Sequence, residues 1–150
     1  MVYQLKIETK HDLTMSNMSN STQNWVRVCP LQQVTENKAL GFSVNGQRLI
    51  MTRCGDKAYI LQGFCSHMVF PLSNSKVDDQ CVLLCSLHHS SFNVRDGSVV
   101  EWSTFPPLVG SALALIRQRR ALRTYPTRVT DGDVYVQWPT DDPDLVRVTL

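Results

Sequence analysis

Two short segments of this 150-residue chain carry the side chains best suited to hold a transition metal. Cys65-Ser66-His67 is a C-x-H, Cys85-Ser86-Leu87-His88 is a C-x2-H, and seventeen residues lie between His67 and Cys85. With five Cys and four His scattered at random, finding both motifs is a chance event on the order of 1–2 %. Thiolate is a soft ligand suited to iron–sulfur iron, and neutral imidazole suits iron or zinc. A Cys2His2 set can bind one tetrahedral Zn²⁺. It can also bind a [2Fe–2S] cluster with two Cys on one iron and two His on the other. In that case each motif gives one ligand to each iron, and two loops grip the cluster from two sides. Zinc fingers more often place Cys with Cys and His with His along the chain, so the alternating order here favours the cluster.

Such loops need a scaffold, and the surrounding sequence supplies short β-rich runs separated by turn signals. Trp25–Val28 reads as a strand. Phe42–Asn45 and Arg48–Arg53 flank the hairpin dipeptide Asn45-Gly46, and Lys57–Gln62 follows the turn Cys54-Gly55-Asp56. Cys81–Cys85, Ser91–Val94 and Ser98–Glu101 come next, the last two separated by Asp96-Gly97. Tyr125–Thr130 and Asp133–Trp138 flank Asp131-Gly132, and Leu145–Leu150 closes the series. Strands at this spacing predict an all-β sandwich or barrel. Leu108 to Arg123 differs. Leu108, Ala112, Leu115, Ile116 and Leu122 approximate a helical stripe, with Arg117, Arg119, Arg120 and Arg123 near its C-terminal end. One short helix is therefore expected near 109–123, packed on the sheet or offered to a partner or to anionic lipid headgroups.

Residues 1–24 read as a flexible polar tail, because Thr14–Asn24 is almost all Ser, Thr, Asn, Gln and Met and cannot offset its ordering entropy. Met15 or Met18 could be alternative starts, and the sequons at Asn17 and Asn20 carry no weight without a secretion signal. No apolar leader core precedes Trp25, and Glu8 and Asp12 do not suit a transit peptide. The longest nearly apolar run, Phe105 to Ile116, is about half the ~20 residues a bilayer span requires. The expected address is cytoplasmic and reducing, where thiols persist. A net charge of +2 gives no strongly basic face for nucleic acid. Cys29, Cys54 and Cys81 lie in or beside strand-like runs and read as small buried apolar residues. His11 falls in the tail.

Beyond the four residues themselves, residues 63–108 resemble a Rieske-type [2Fe–2S] domain, and 25–150 is compatible with a whole Rieske ferredoxin. The first loop has Pro71-Leu72 four residues after His67, and the second has the aromatic Phe92 four residues after His88. Asp96-Gly97 matches the turn after the next strand, and Pro107-Leu108 and Tyr125 resemble the exit to the base sheet. The resemblance implies an antiparallel β-sandwich with a small inserted cluster-binding subdomain at about 63–107. It implies one [2Fe–2S] cluster held by Cys65 and Cys85 on one iron and His67 and His88 on the other. His89 stands where the family usually has Gly, at a position expected to need φ > 0, which His tolerates better than most residues. The stretch after Leu108 looks like an insertion of about a dozen residues. Phe70 and Leu87 occupy the positions of the extra Cys pair of respiratory Rieske proteins, so that disulfide cannot form. Ser90 sits where high-potential members have a hydroxyl donor to cluster sulfur, while Phe92 replaces their Tyr. A potential in the lower half of the Rieske span is expected.

With all iron positions filled by protein, such a cluster accepts and donates single electrons and binds no substrate. No His follows His89, so the 2-His-1-carboxylate iron of Rieske oxygenases cannot be built. The expected function is that of an electron carrier, not an enzyme, passing electrons from a flavin-dependent reductase to an oxygenase. The alternatives are a cluster-bearing small subunit of a larger, nitrite-reductase-like oxidoreductase, or a structural zinc β-module. Met68, Val69, Phe70, Pro71 and Leu87 are expected to form an apolar tip around the imidazole edges, either docking redox proteins or packing the two loops together.

Overall fold

Asn45-Gly46 and Asp131-Gly132 each reverse the chain within two residues, all four with positive φ (48° and 81°, 53° and 81°). That geometry matches the right-handed twist of the strands they join. The computed structural model describes residues 23–103 and 119–150. Its strands are β1 (Gln23–Pro30), β2 (Leu40–Val44), β3 (Gln47–Cys54), β4 (Lys57–Gln62), β5 (Lys76–Val77), β6 (Val82–Leu84), β7 (Ser91–Asn93), β8 (Val99–Glu101), β9 (Thr124–Tyr125), β10 (Thr127–Thr130), β11 (Asp133–Pro139) and β12 (Val148–Thr149). They form three antiparallel sheets, ordered β1-β11-β10, β12-β2-β3-β4-β9 and β5-β6-β7-β8.

The five-stranded sheet is the middle layer, and its sequence shows why. In β3, Leu49 and Met51 belong to one core while Ile50 between them belongs to another; in β4, Ile60 and Leu61 divide the same way. A strand buried on both faces reads as a continuous apolar run, which is what Leu49-Ile50-Met51 is. The first core is closed by Val26, Val134, Val136 and Trp138 of the three-stranded sheet. The second is closed by Leu83 and Phe92 of the four-stranded sheet and by Val94 just after β7, with Leu72 and Leu122 from connecting segments. Each fully buried Leu, Ile or Phe contributes about 1.5–3 kcal/mol of transfer free energy. The four-stranded sheet is thus bolted to the central sheet by its own core, and it carries the second motif.

The all-β architecture agrees with expectation, with differences. β1 begins two residues before Trp25. The run expected as one strand over Tyr125–Thr130 is split by Pro126, which has no N–H for a ladder. The last expected strand, over Leu145–Leu150, shrinks to β12. A 3-10 turn at Pro143–Leu145 precedes it, capped by the Asp142 carboxylate, which accepts from the Asp144 N–H. β5 was not foreseen. The expected tail falls outside the described residues up to 22, as does 104–118, most of the expected helix.

The described end of that stretch, residues 119–123, is not helical. Its backbone instead bonds across the fold: the Leu122 N–H donates to Gly97 O (2.8 Å), and Arg123 O accepts from the Gln62 N–H (2.9 Å). Leu122 is buried in the second core.

The expectation for Cys54 and Cys81 as separate buried thiols is also corrected. They form a disulfide, with Cα atoms 6.0 Å apart and a sequence separation of 27. The end of β3 and the turn before β6 face one another across two sheets, a juxtaposition no local pattern reveals. Cys29 is a buried free thiol, as expected, and burial pushes its pKa up.

Candidate metal centre

The two Cys-His loops are built alike. In the first, the Cys65 N–H donates to Phe70 O (2.9 Å), and in the second the Cys85 N–H donates to Ser90 O (2.9 Å). Each Cys is therefore closed onto the carbonyl five residues later. Each sulfur is also approached by the backbone N–H groups two and three residues on, His67 and Met68 for Cys65, Leu87 and His88 for Cys85. N–H groups aimed at sulfur favour thiolate, the form that binds metal.

The loops meet so that like faces like. The Cys65 and Cys85 thiols share a hydrogen bond, and both are buried. The proton kept on Cys65 stabilises a Cys85 thiolate, so Cys85 is drawn below the ordinary thiol range, helped by the Leu87 and His88 N–H groups; the same bond and burial push Cys65 up. The His67 and His88 rings lie edge to face, centroids 5.3 Å apart at 82°. His67 also meets Trp102 edge to face at 5.0 Å and 88°. The two thiols are buried, whereas both imidazoles are half-buried.

Among the described residues, no three His, Cys, Asp or Glu side chains converge as a single ion would need. A Cys–Cys pair beside a His–His pair suits instead a two-iron group with sulfur ligands on one iron and nitrogen ligands on the other. The backbone donors around both sulfurs make the donor set fit a [2Fe–2S] cluster.

Several neighbours hold the loops in place. Gly63 lets the first loop cross β3 closely: a Cβ there would lie 2.7 Å from Arg48 O. Leu72, fully buried, anchors that loop's return, and the Leu72 N–H donates to Gly63 O (2.9 Å). His89 has φ 61°, as its place in the motif predicts, and its N–H donates to Cys85 O (3.0 Å) while the side chain is exposed. Ser90 is fully buried, and its Oγ accepts from the Ser103 N–H (3.1 Å), which leaves the hydroxyl proton free for donation elsewhere.

Sequence reasoning missed Gln62 and the strap at 121–123. The Gln62 amide Nε2 donates to Phe64 O (2.7 Å) and Ser66 Oγ (3.3 Å), and its Oε1 accepts from the Arg123 N–H (2.9 Å). Ser66 Oγ, between the two residues of the first motif, donates to Ala121 O (3.1 Å). Only a polar residue closing an apolar strand one position before Gly63 marks Gln62 in the sequence. Of the expected apolar tip, Met68, Val69 and Leu87 are exposed (45, 86 and 42 %), with Pro71 also exposed. Phe70 instead packs against the second core.

With the fold and the paired loops established, comparison with known proteins gives a consistent result. The profile of the Rieske [2Fe–2S] domain matches residues 24–126, and the chain belongs to that family, whose cofactor is one [2Fe–2S] cluster and whose chemistry is one-electron transfer. The chain is 25 % identical over 120 residues to the 3-phenylpropionate/cinnamic acid dioxygenase ferredoxin subunit of Escherichia coli K12, covering 80 % of this chain and 99 % of that one. Its fold resembles the ferredoxin of carbazole 1,9a-dioxygenase from Nocardioides aromaticivorans IC177, with TM-score 0.60, 24 % identity, and coverage of 75 % and 96 %. It also resembles a chain from a complex of reduced oxygenase and oxidised ferredoxin in carbazole 1,9a-dioxygenase, with TM-score 0.59, 23 % identity, and coverage of 74 % and 99 %.

Proposed function

We propose that this chain is the ferredoxin component of an oxygenase system, taking single electrons from a flavin-dependent reductase and giving them to the oxygenase. Cys65 and Cys85 would hold one iron, and His67 and His88 the other. The carrier begins with β1 at Gln23, two residues before the expected boundary, and has no substrate site of its own. When bound, the cluster supplies a reversible one-electron couple.

The observation that carries this reading is the gradient of burial across the site. The thiols are buried, the imidazoles half-buried, and Met68, Val69 and Leu87, next to the two His residues in the loops, are exposed. The buried sulfur side excludes water and fixes the loops. The nitrogen side is the short route to a partner, and its apolar rim suits the small, transient interface of redox encounters. The dioxygenase ferredoxin relationship supports an oxygenase as acceptor. Among the described residues no helix is long and apolar enough to cross a membrane; we place the carrier in the cytoplasm with its partners.

The test is the visible absorption and reduced-state EPR of the purified chain, followed by reduction with a flavin reductase and single-turnover reoxidation by an oxygenase. A Rieske-type spectrum with electron delivery is expected, and His67→Cys or His88→Cys should abolish the mixed-ligand EPR signature. A colourless protein carrying one divalent ion would overturn the assignment. A coloured protein reoxidised only by a nitrite-reductase-like enzyme would move it to that system.

A further inference from the structure

The Cys54–Cys81 disulfide is absorbed by nothing in the electron-carrier reading. Cys54, at the end of β3 beside the exposed turn Gly55-Asp56, is half-buried and packs against the second core, which leaves it the more exposed partner of the pair. Cys81 is buried, has φ 67°, and immediately precedes β6, the three-residue strand that runs into Cys85. The bond therefore ties the central sheet to the strand that delivers the second ligand loop. Arg95 breaks the symmetry of the pair. Its Nη2 donates to Cys81 Sγ (3.2 Å), and its Nη1 is fixed on Gln80 O (3.0 Å). A guanidinium held on one sulfur only stabilises negative charge there, and a better stabilised thiolate leaves faster.

We propose that Cys54–Cys81 is a second redox site, a two-electron dithiol–disulfide pair that reacts with dithiol reductants, and that its state sets how firmly the second ligand loop is held. A thiolate of the dithiol attacks Cys54 Sγ. A new S–S bond forms there, the Cys54–Cys81 bond breaks, and its electron pair leaves on Cys81 Sγ facing Arg95. The second thiolate of the reductant then attacks its own first sulfur in the mixed disulfide and expels Cys54 as thiolate. In sum, one dithiol is oxidised to a disulfide, the protein disulfide is reduced to two cysteines, and two electrons and two protons pass to the protein. Opening removes the covalent tie to the central sheet. Cys81 keeps its backbone bonds, with its N–H on Asp78 O (3.0 Å) and its carbonyl accepting from Val94 (3.0 Å). The effect on the loop rests on the cluster reading above; the thiol chemistry does not.

The experiment equilibrates the full-length holoprotein in mixtures of reduced and oxidised dithiothreitol, alkylates it after denaturation, and maps the modified cysteines. In parallel, cluster loss to an iron chelator is followed by visible absorbance. Expected are a Cys54–Cys81 cross-linked peptide under oxidised dithiothreitol and its opening in folded protein with the spectrum intact. Opening should be several-fold slower in Arg95→Gln, and cluster loss several-fold faster once the pair is open. The Cys54→Ser/Cys81→Ser double variant should lose its cluster at the open-state rate whatever the buffer. Alkylation of both cysteines under oxidised dithiothreitol would overturn the proposal, as would opening only on unfolding or a cluster-loss rate indifferent to the pair. Should the double variant not fold, the reduced and oxidised wild type give the same comparison. A colourless protein would count against the cluster reading, while the thiol map would still decide the disulfide chemistry.

Discussion

Replacing Gly97 by Ala should destabilise the fold by about 2–5 kcal/mol, more than the same change at Gly132. Both glycines have strongly positive φ, 74° and 81°. Ala in that region costs about 1–2 kcal/mol on backbone grounds alone. At Gly132 nothing lies within 4 Å of an added Cβ, so that cost is the whole effect. At Gly97 the Cβ would stand 2.0 Å from Leu122 O and 3.3 Å from the Thr124 methyl. The nearer atom is backbone, so the strap must move. Moving it strains the Leu122 N–H bond to Gly97 O and withdraws Leu122 from the second core. Overpacking of this kind typically adds about 1–3 kcal/mol. Urea unfolding of both variants, read by far-UV circular dichroism, gives the difference. With a slope of about 2 kcal/mol per molar, a gap of roughly 2 kcal/mol between them appears as about 1 M in midpoint. Because Ala121 O holds Ser66 inside the first motif, Gly97→Ala should also lose its cluster faster to a chelator than Gly132→Ala. Equal midpoints for the two variants would refute the view that the strap is clamped at Gly97.

Other consequences are as direct. Ser90→Ala should lower the cluster's midpoint potential by about 40 mV, equivalent to roughly 1 kcal/mol of hydrogen-bond preference for the reduced state, as read by redox titration; an unchanged value removes Ser90 from the electronics. Gln62→Leu leaves Phe64 O and the Arg123 N–H short of a partner and should cost about 2–3 kcal/mol in denaturation midpoints. Val69→Asp should leave the cluster spectrum intact while raising the apparent KM for the oxygenase about fivefold to tenfold, whereas Phe70→Asp should damage folding, since Phe70 is packed inward. Hydrogen bonds from the Arg27 guanidinium (2.6 and 2.9 Å) hold the Asp133 carboxyl below its ordinary pKa. A depressed carboxylate stabilises the fold above its unfolded-state pKa, and that contribution fades as pH falls through the folded value. Stability of Asp133→Asn and wild type, followed by acid titration, should therefore converge at low pH and differ above it.

Legibility in the sequence followed the range of the interaction. Asn45-Gly46 and Asp131-Gly132 announce their hairpins because the turn chemistry is local. The pairing of the two Cys-His loops was legible for the same reason: each loop is a self-contained turn with its Cys and His at fixed spacing. His89 could be expected to take positive φ from its place in the motif. What escaped was contact between distant segments. The Cys54–Cys81 bond depends on how two sheets stack, and the extended path of residues 119–123 depends on backbone partners at Gly97 and Gln62. Their Leu/Arg pattern, read alone, equally suits a helix. Gln62 gave only a faint signal, a polar residue closing an apolar strand, because its function is to bridge a loop and a strap that lie some 60 positions apart in the chain.

The burial gradient across the site has a kinetic corollary under the proposed assignment. With the sulfur flank sealed and the imidazole flank open, charge enters and departs through one doorway. Donor and acceptor must then compete for the same landing place and cannot grip the carrier together. Turnover becomes a shuttle of alternating visits, in which excess of either protein, or too tight a grip by one of them, slows the whole relay.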